Sequence, residues 1–348
     1  MKRRIVVALA VLLLACSAAA VTAVAVIRRE LERTVELPGV TTIEIPPGQS
    51  LRRVAGQLRD AGLIESERNF LWLASWMGTD RSIKHGRHEF AGALTLPGVL
   101  EELGRTPKAM LRVTIPEGLT LREIAALLED SGAVSAAGYR AVACSEELRR
   151  LVDAPAEAAC AEGYLFPDTY DLVPGMSPGS VVDLQVERFR EVVDPLMAST
   201  RPDLELPVQQ GPTEGRLARL LTLASIVEKE TGQASERPRI AAVFFNRLRL
   251  GMPLQTDPTV IYGVIDSGLP WDGNLTRTHL KTPTPYNTYT MTGLPRAPIC
   301  NPGRASLQAV LSPAATSELY FVARGDGFHE FSASLADHNR AVHRYQSH

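Results

Sequence analysis

The segment Leu223-Ala-Ser-Ile-Val-Glu-Lys-Glu-Thr231 puts a carboxylate where a helix calls for an apolar residue. An apolar stripe runs Leu217, Leu221, Ala224, with Leu220 and Val227 beside it. The next step at the same helical spacing lands on Glu228. Lys229 and Glu230 fall further round the helix and are expected to face solvent. Gly232 is a good residue to follow a helix, which places Glu228 in the last turn. Burial disfavours a charged carboxylate, and so does the negative end of a helix. Both favour the protonated form that a general acid needs. Two plainer readings stand beside this one: a Glu paired with an arginine such as Arg247, or a Glu turned out to water.

Other chemistries find less support. None of the seven His makes a helical metal-binding pair or a zinc-protease signature, so no metal site is expected. The sequence contains no phosphate-binding or dinucleotide glycine fingerprint, and no cofactor is expected. The phase that isolates Glu228 turns Lys229 away from it, which argues against a Schiff-base lysine. Cys144 and Cys160 flank a short helical stretch and could bridge in an oxidising compartment, or stay as two thiols; Cys300 is left unpaired either way.

Several elements must position these residues. An internal repeat is spaced by 70 residues: Ile45-Pro-Pro-Gly-Gln-Ser50 leads into one helix and Ile115-Pro-Glu-Gly-Leu-Thr120 into another. Each copy predicts a short strand (42–45 and 111–115), a Pro-x-Gly turn and a helix capped by Ser50 or Thr120. The first helix carries the stripe Leu51, Val54, Ala55, Leu58, and the second Leu121, Ile124, Ala125, Leu128. Gly62 and Gly132 end them. Further helices are expected over 68–77, 95–104, 178–198, 213–231, 236–250 and 335–345, and a strand over 318–323. Met252–Thr292 is dense in Thr, Pro, Gly, Tyr and Asn and is expected as loops lining a polar groove. Strands and helices without βαβα alternation indicate an α+β class.

The chain has 348 residues and a net charge of −2, which offers no overall field for nucleic acid. The averages conceal the N-terminus. Met1-Lys-Arg-Arg4 precedes an uncharged run over 5–27, and Arg28 and Arg29 follow. Such a run makes about 35 Å of helix, enough to span a bilayer core. It is longer than the apolar region of a cleaved signal peptide. The rival reading is a lipoprotein signal, Leu13-Leu14-Ala15-Cys16; the apolar run continues well past Cys16, which favours the anchor. The expected order is a tail (1–4), a transmembrane anchor (5–27), a linker (28–40), a small module (41–110) and a catalytic domain (111–348).

Six ordered motifs carry a family likeness: Glu162-Gly-Tyr-Leu-Phe-Pro-Asp-Thr-Tyr170, the Leu223–Thr231 segment, Phe245-Asn-Arg-Leu248, Leu254-Gln-Thr-Asp-Pro-Thr-Val-Ile-Tyr262, Thr284-Pro-Tyr-Asn-Thr-Tyr289 and Gly293-Leu-Pro295. Together they resemble the endolytic murein transglycosylases of bacteria, over essentially the whole chain. The resemblance implies an inner-membrane, single-pass lyase whose catalytic domain lies outside the cytoplasm, with a LysM-like module before that domain. It implies cleavage of the MurNAc–GlcNAc bond of nascent peptidoglycan, leaving 1,6-anhydro-MurNAc ends, and makes cell-wall synthases plausible partners. The family's catalytic glutamate falls on Glu228. Candidate sugar contacts are Glu162, Asn246, Gln255, Asp257, Tyr262, Tyr286, Asn287, Thr288 and Tyr289, since amides bridge sugar hydroxyls and Tyr rings stack on sugar faces. The chain departs from relatives at Arg296-Ala297, after Gly293-Leu-Pro295, and at Cys300. A reading from another class is a membrane-anchored wall-binding protein with Glu228 inert.

Overall fold

The computed structural model describes residues 28, 31–37, 39–46, 48–79, 82–105, 110–199 and 215–346. The expected anchor over 5–27 and Cys16 lie outside them. Among the described residues no helix is long and apolar enough to cross a membrane. The described residues form thirteen helices and four two-stranded antiparallel sheets, divided between two compact units, 1–109 and 110–348. The class is mixed α+β.

In the first unit, β1 (Thr34–Glu36) leads to β2 (Thr41–Ile45), α1 (Leu51–Asp60) and α2 (Glu67–Trp76). Then come β3 (Gly86–Phe90), β4 (Ala93–Thr95) and α3 (Leu96–Gly104). β2 pairs with β3 and β1 with β4. Alternation along β2 turns Ile43 and Ile45 inward, where they meet Val54, Ala55 and Leu58 of α1. Strand β3 is not predicted from the sequence, because Gly-Arg-His-Glu-Phe lacks apolar alternation. His88 nevertheless points inward, its ring nitrogens 3.1 Å from the Glu102 carbonyl and 2.9 Å from the Lys84 carbonyl.

The second unit starts with the other copy of the repeat, β5 (Leu111–Thr114) and α4 (Leu121–Asp130). α5 (Ala136–Ala143) and α6 (Glu146–Leu151) follow, and then β6 (Thr169–Leu172) pairs with β5 so that Thr114 opposes Thr169. α7 (Pro178–Ser199), α8 (Arg216–Glu230) and α9 (Arg237–Arg249) are the long helices. Cys144 and Cys160 are joined as a disulfide.

The 252–292 stretch is not all loop. α10 (Asp257–Asp266) and α11 (Arg277–Lys281) lie within it. Proline in the first turn of α10, where no amide hydrogen is needed, starts a helix that composition alone obscures. α12 (Arg304–Leu311) packs on both α8 and α9. The hairpin β7 (Tyr320–Ala323) and β8 (His329–Ser332) and the helix α13 (Leu335–Gln346) complete the chain.

Candidate active site

α8 is buried nearly all round, with every residue from Leu220 to Val227 in the core. A helix without a solvent face cannot turn a charged residue out by rotating. Its last turn therefore delivers Glu228 into packed surroundings, and the Glu228 side chain is only 6% exposed. Lys229 is the exposed residue of the turn, but its amine reaches back to donate to the Gly118 carbonyl at 3.2 Å. Glu230 does not face open water as expected. Burial, with the Asp257 charge adding, pushes its carboxyl up to about 8. Glu230 is part-exposed, with the Asp257 and Arg247 charges acting on it, which the helical phase does not reveal.

Both oxygens of Glu228 are held. Arg237 Nη2 donates to Oε1 at 2.9 Å, and the Gly303 amide donates to Oε2 at 3.0 Å. The arginine partner is thus Arg237, at the start of α9 and 11% exposed, and not Arg247. Arg247 is committed to the Leu254 and Leu319 carbonyls. Gly303 is the residue that precedes α12, so its amide belongs to the positive end of that helix. One guanidinium and one helix-start amide therefore satisfy the two oxygens of Glu228.

The turn of the second repeat copy walls the site. Gly118 has φ +80°, and a Cβ there would lie 3.3 Å from Glu228 Cγ. Its amide donates to the Asn301 carbonyl at 2.9 Å, tying the turn to the segment that carries Gly303. Glu117, next to it, puts its carboxyl in the space a side chain at position 303 would fill: a Cβ there would fall 1.8 Å from Glu117 Cδ. Partial burial raises the Glu117 carboxyl from its ordinary range, and the Glu228 charge adds to the push; Arg237 and a backbone hydrogen bond from Arg304 oppose it. Glu117, Arg237 and Gly303 were missed in the sequence. The one signal for Glu117 is the difference between the copies, where the first has Pro47 in its place.

Glu162 lies buried one layer behind. Its carboxylate accepts from the Leu121 amide at 2.9 Å, from Asn301 Nδ2 at 2.7 Å and from the Tyr262 hydroxyl at 3.2 Å. Burial still pushes it up to about 8. It thereby fastens the start of α4, the 301 segment and α10 together. The Tyr262 ring meets Tyr286 edge-on with centroids 4.7 Å apart, and Tyr286 is itself buried.

Asn246 is placed elsewhere, donating to the Thr316 and Glu318 carbonyls at 2.9 Å. Asn287 is buried and donates to the His279, Leu280 and Thr282 carbonyls. The Thr288 hydroxyl accepts from the Thr256 amide at 3.0 Å and lies 2.8 Å from the Thr259 hydroxyl. Gln255, Asp257 and Tyr289 form an accessible group. Gln255 is exposed at φ +51°, a conformation rare for residues other than glycine. The Tyr289 hydroxyl donates to Asp257 at 2.7 Å. The Asp257 charge is among those felt by Glu230, two residues past Glu228. Among the described residues no group of His, Cys, Asp or Glu is placed to hold a metal ion.

The model of the YceG-like family matches residues 43–344. An endolytic murein transglycosylase of Bacillus subtilis is 31% identical over 336 residues, covering 92% of this chain and 89% of that protein. One from Streptococcus pneumoniae is 28% identical over 331 residues, 86% of this chain and 57% of that longer protein. The crystal structure of a YceG-like protein from Listeria monocytogenes superposes with a TM-score of 0.55 at 27% identity, covering 88% of this chain and 99% of that one.

Proposed function

We propose, from the premise that this chain belongs to the YceG-like family, that it is an endolytic peptidoglycan lytic transglycosylase with Glu228 as general acid and then base. The observation that carries the reading is Glu228 itself. It is a carboxylate closed into the last turn of α8, with an arginine on one oxygen and a backbone amide on the other. Structural ion pairs also occur in interiors, but this one sits against two glycines, Gly118, where a Cβ would lie 3.3 Å from Glu228 Cγ, and Gly303, whose Cβ space the Glu117 carboxyl takes.

One carboxyl can serve both steps. Glu228 gives its proton to the oxygen bridging MurNAc and GlcNAc as the C1–O bond breaks. The C6 hydroxyl of the same MurNAc attacks C1, and its proton returns to Glu228. The product is a 1,6-anhydro end. Ordinary glycosidases need a second carboxylate because water or the enzyme must attack. Here the nucleophile belongs to the substrate, and the ring closure avoids the entropy cost of bringing in another molecule. The reaction as written requires no metal or cofactor.

Gln255, Asp257 and Tyr289 are the sugar contacts best supported, because they are accessible. Glu162, Tyr262, Tyr286, Asn287 and Thr288 support the groove from behind, and Asn246 fixes α9 to the approach to β7. The strand–helix–helix–strand order of β2, α1, α2 and β3 supports a LysM-like glycan-binding module. The uncharged run over 5–27 supports an anchor that holds the enzyme at the outer face of the cytoplasmic membrane, where it would end the growth of nascent strands beside cell-wall synthases.

The test is product analysis. Full-length protein in detergent should convert uncrosslinked glycan strands into fragments with anhydro ends. Glu228→Gln should slow this by at least about a hundredfold. Absence of anhydro ends, or a Gln variant as active as wild type, refutes the reading and leaves a glycan-binding role.

A further inference from the structure

We propose that Glu117 is a positioning residue of this site: its carboxyl and that of Glu228 meet at Gly303 and hold one proton between them. The inference rests on the reading of Glu228 as the acid and base, and it supplies what that reading lacks. Arg237 and the Gly303 amide both donate to Glu228, an arrangement that suits a base. An acid needs a reason to keep a proton.

The two carboxyls converge from distant parts of the chain on one residue. The Gly303 amide donates to Glu228 Oε2 at 3.0 Å. The Glu117 carboxyl fills the Cβ space of the same glycine and accepts a backbone hydrogen bond from Arg304. Both acids therefore lie at the positive end of α12, where the partial charge is about half a unit. Other groups among the described residues act on or lie near the pair. Arg237, from the start of α9, pairs with Glu228 and also acts on Glu117. Lys229, from α8, has its amine turned to the Gly118 carbonyl. The buried Cys300 thiol is pushed well above its ordinary range and is neutral at physiological pH. One paired guanidinium and one helix end do not compensate two adjacent carboxylates. Two neighbouring acids that interact lose their protons in separate steps, the second more reluctantly than the first.

The balance closes over the reaction. The proton of the pair leaves through Glu228 to the bridging oxygen. The C6 hydroxyl proton comes back to Glu228, and the pair again holds one. Glu117 keeps the site from settling into a bare Glu228 carboxylate locked to Arg237. Gly303 is required because any side chain there takes the place of the Glu117 carboxyl.

The experiment is the pH profile of kcat for full-length wild type and Glu117→Gln, which keeps the shape and removes the charge. Without its negative neighbour Glu228 gives up its proton more easily. The alkaline limb of the profile should move down by about one pH unit, so that turnover on that limb falls about tenfold. A purely structural role would scale the whole profile and leave its limbs in place, and that result overturns the proposal. Gly303→Ala, with backbone φ of −81° that alanine accepts, should shift the limb in the same direction by displacing Glu117. Carboxyl carbon NMR separates this test from the activity. Glu228 should titrate at lower pH in Glu117→Gln than in wild type whether or not anhydro ends form. If Glu228 titrates identically in both proteins, the shared proton is refuted even in an active enzyme. If the titration shifts but no anhydro product appears in wild type, the pair stands and the transglycosylase reading fails.

Discussion

The two copies of the strand–turn–helix repeat have nearly the same backbone and different surroundings. Gly48 and Gly118 both take positive φ, +76° and +80°, and Gly62 and Gly132 end the two helices at +73° and +75°. In the first copy the turn is free: among the described residues nothing approaches a Cβ placed on Gly48 within 4 Å. Ser50 makes no side-chain cap bond. In the second copy the turn is held at several points. Gly118 lies against Glu228, Thr120 and Glu123 form a reciprocal capping box, and the Leu121 amide is held by Glu162. A generic turn becomes the wall of a site through what packs on it. The site then exploits what the turn already had, a glycine for close approach and free amides at a helix start.

The largest expected effect falls on the ion pair that only the second unit has. Arg237→Met leaves Glu228 buried without its partner and should cost about 3 kcal/mol of stability, read as a drop in the melting temperature of the second unit. A loss below 1 kcal/mol would mean that Glu228 relaxes to water, and the site would not be closed as described.

Next is the pH dependence of stability. Glu162 holds its proton in the folded state up to about 8, against an ordinary 4.5. Its stabilisation is complete below about 4.5 and lost as pH rises through about 8, because the unfolded chain gives up that proton first. Glu230, also raised to about 8, adds to the same slope. Denaturant titrations from pH 5 to 8 should show the second unit weakening, and Glu162→Gln should remove about half of that slope. An unchanged slope would place Glu162 in contact with water.

These effects also mark how much was legible in the sequence. The strands and helices of the repeat, the long helices after residue 178 and Glu228 are local features, written in periodicity, caps and glycines. Glu117, Arg237 and Gly303 are not. Each comes from a separate segment, and nothing local tells a Pro-Glu-Gly turn that a buried carboxylate will lie against it. The surroundings of Glu230 escape the sequence for the same reason, since helical phase cannot show that the charges of Asp257 and Arg247 act on the end of α8. Of the expected sugar contacts, residue type selected Asn and Thr correctly as hydrogen-bonding groups. It could not show that Asn246, Asn287 and Thr288 use that capacity within the chain.

A smaller effect compares the two turns directly. Gly48→Ala and Gly118→Ala each force alanine into a left-handed conformation and should each cost about 1 kcal/mol. Only Gly118→Ala pushes on Glu228, so only it should lower turnover, by about tenfold or more. Equal activity in the two variants would remove the second turn from the site. The smallest effect is at the caps. Thr120→Ala should cost about 1 kcal/mol and Ser50→Ala nearly nothing, because only Thr120 makes the cap bond.

The most direct measurement is a crystal structure of Glu228→Gln with a bound glycan fragment. The oxygen bridging MurNAc and GlcNAc should lie within about 3.2 Å of the side chain at position 228, beside Glu117 and Gly303. A fragment bound only to the first unit, or one whose glycosidic oxygens all lie beyond reach of that side chain, would contradict it.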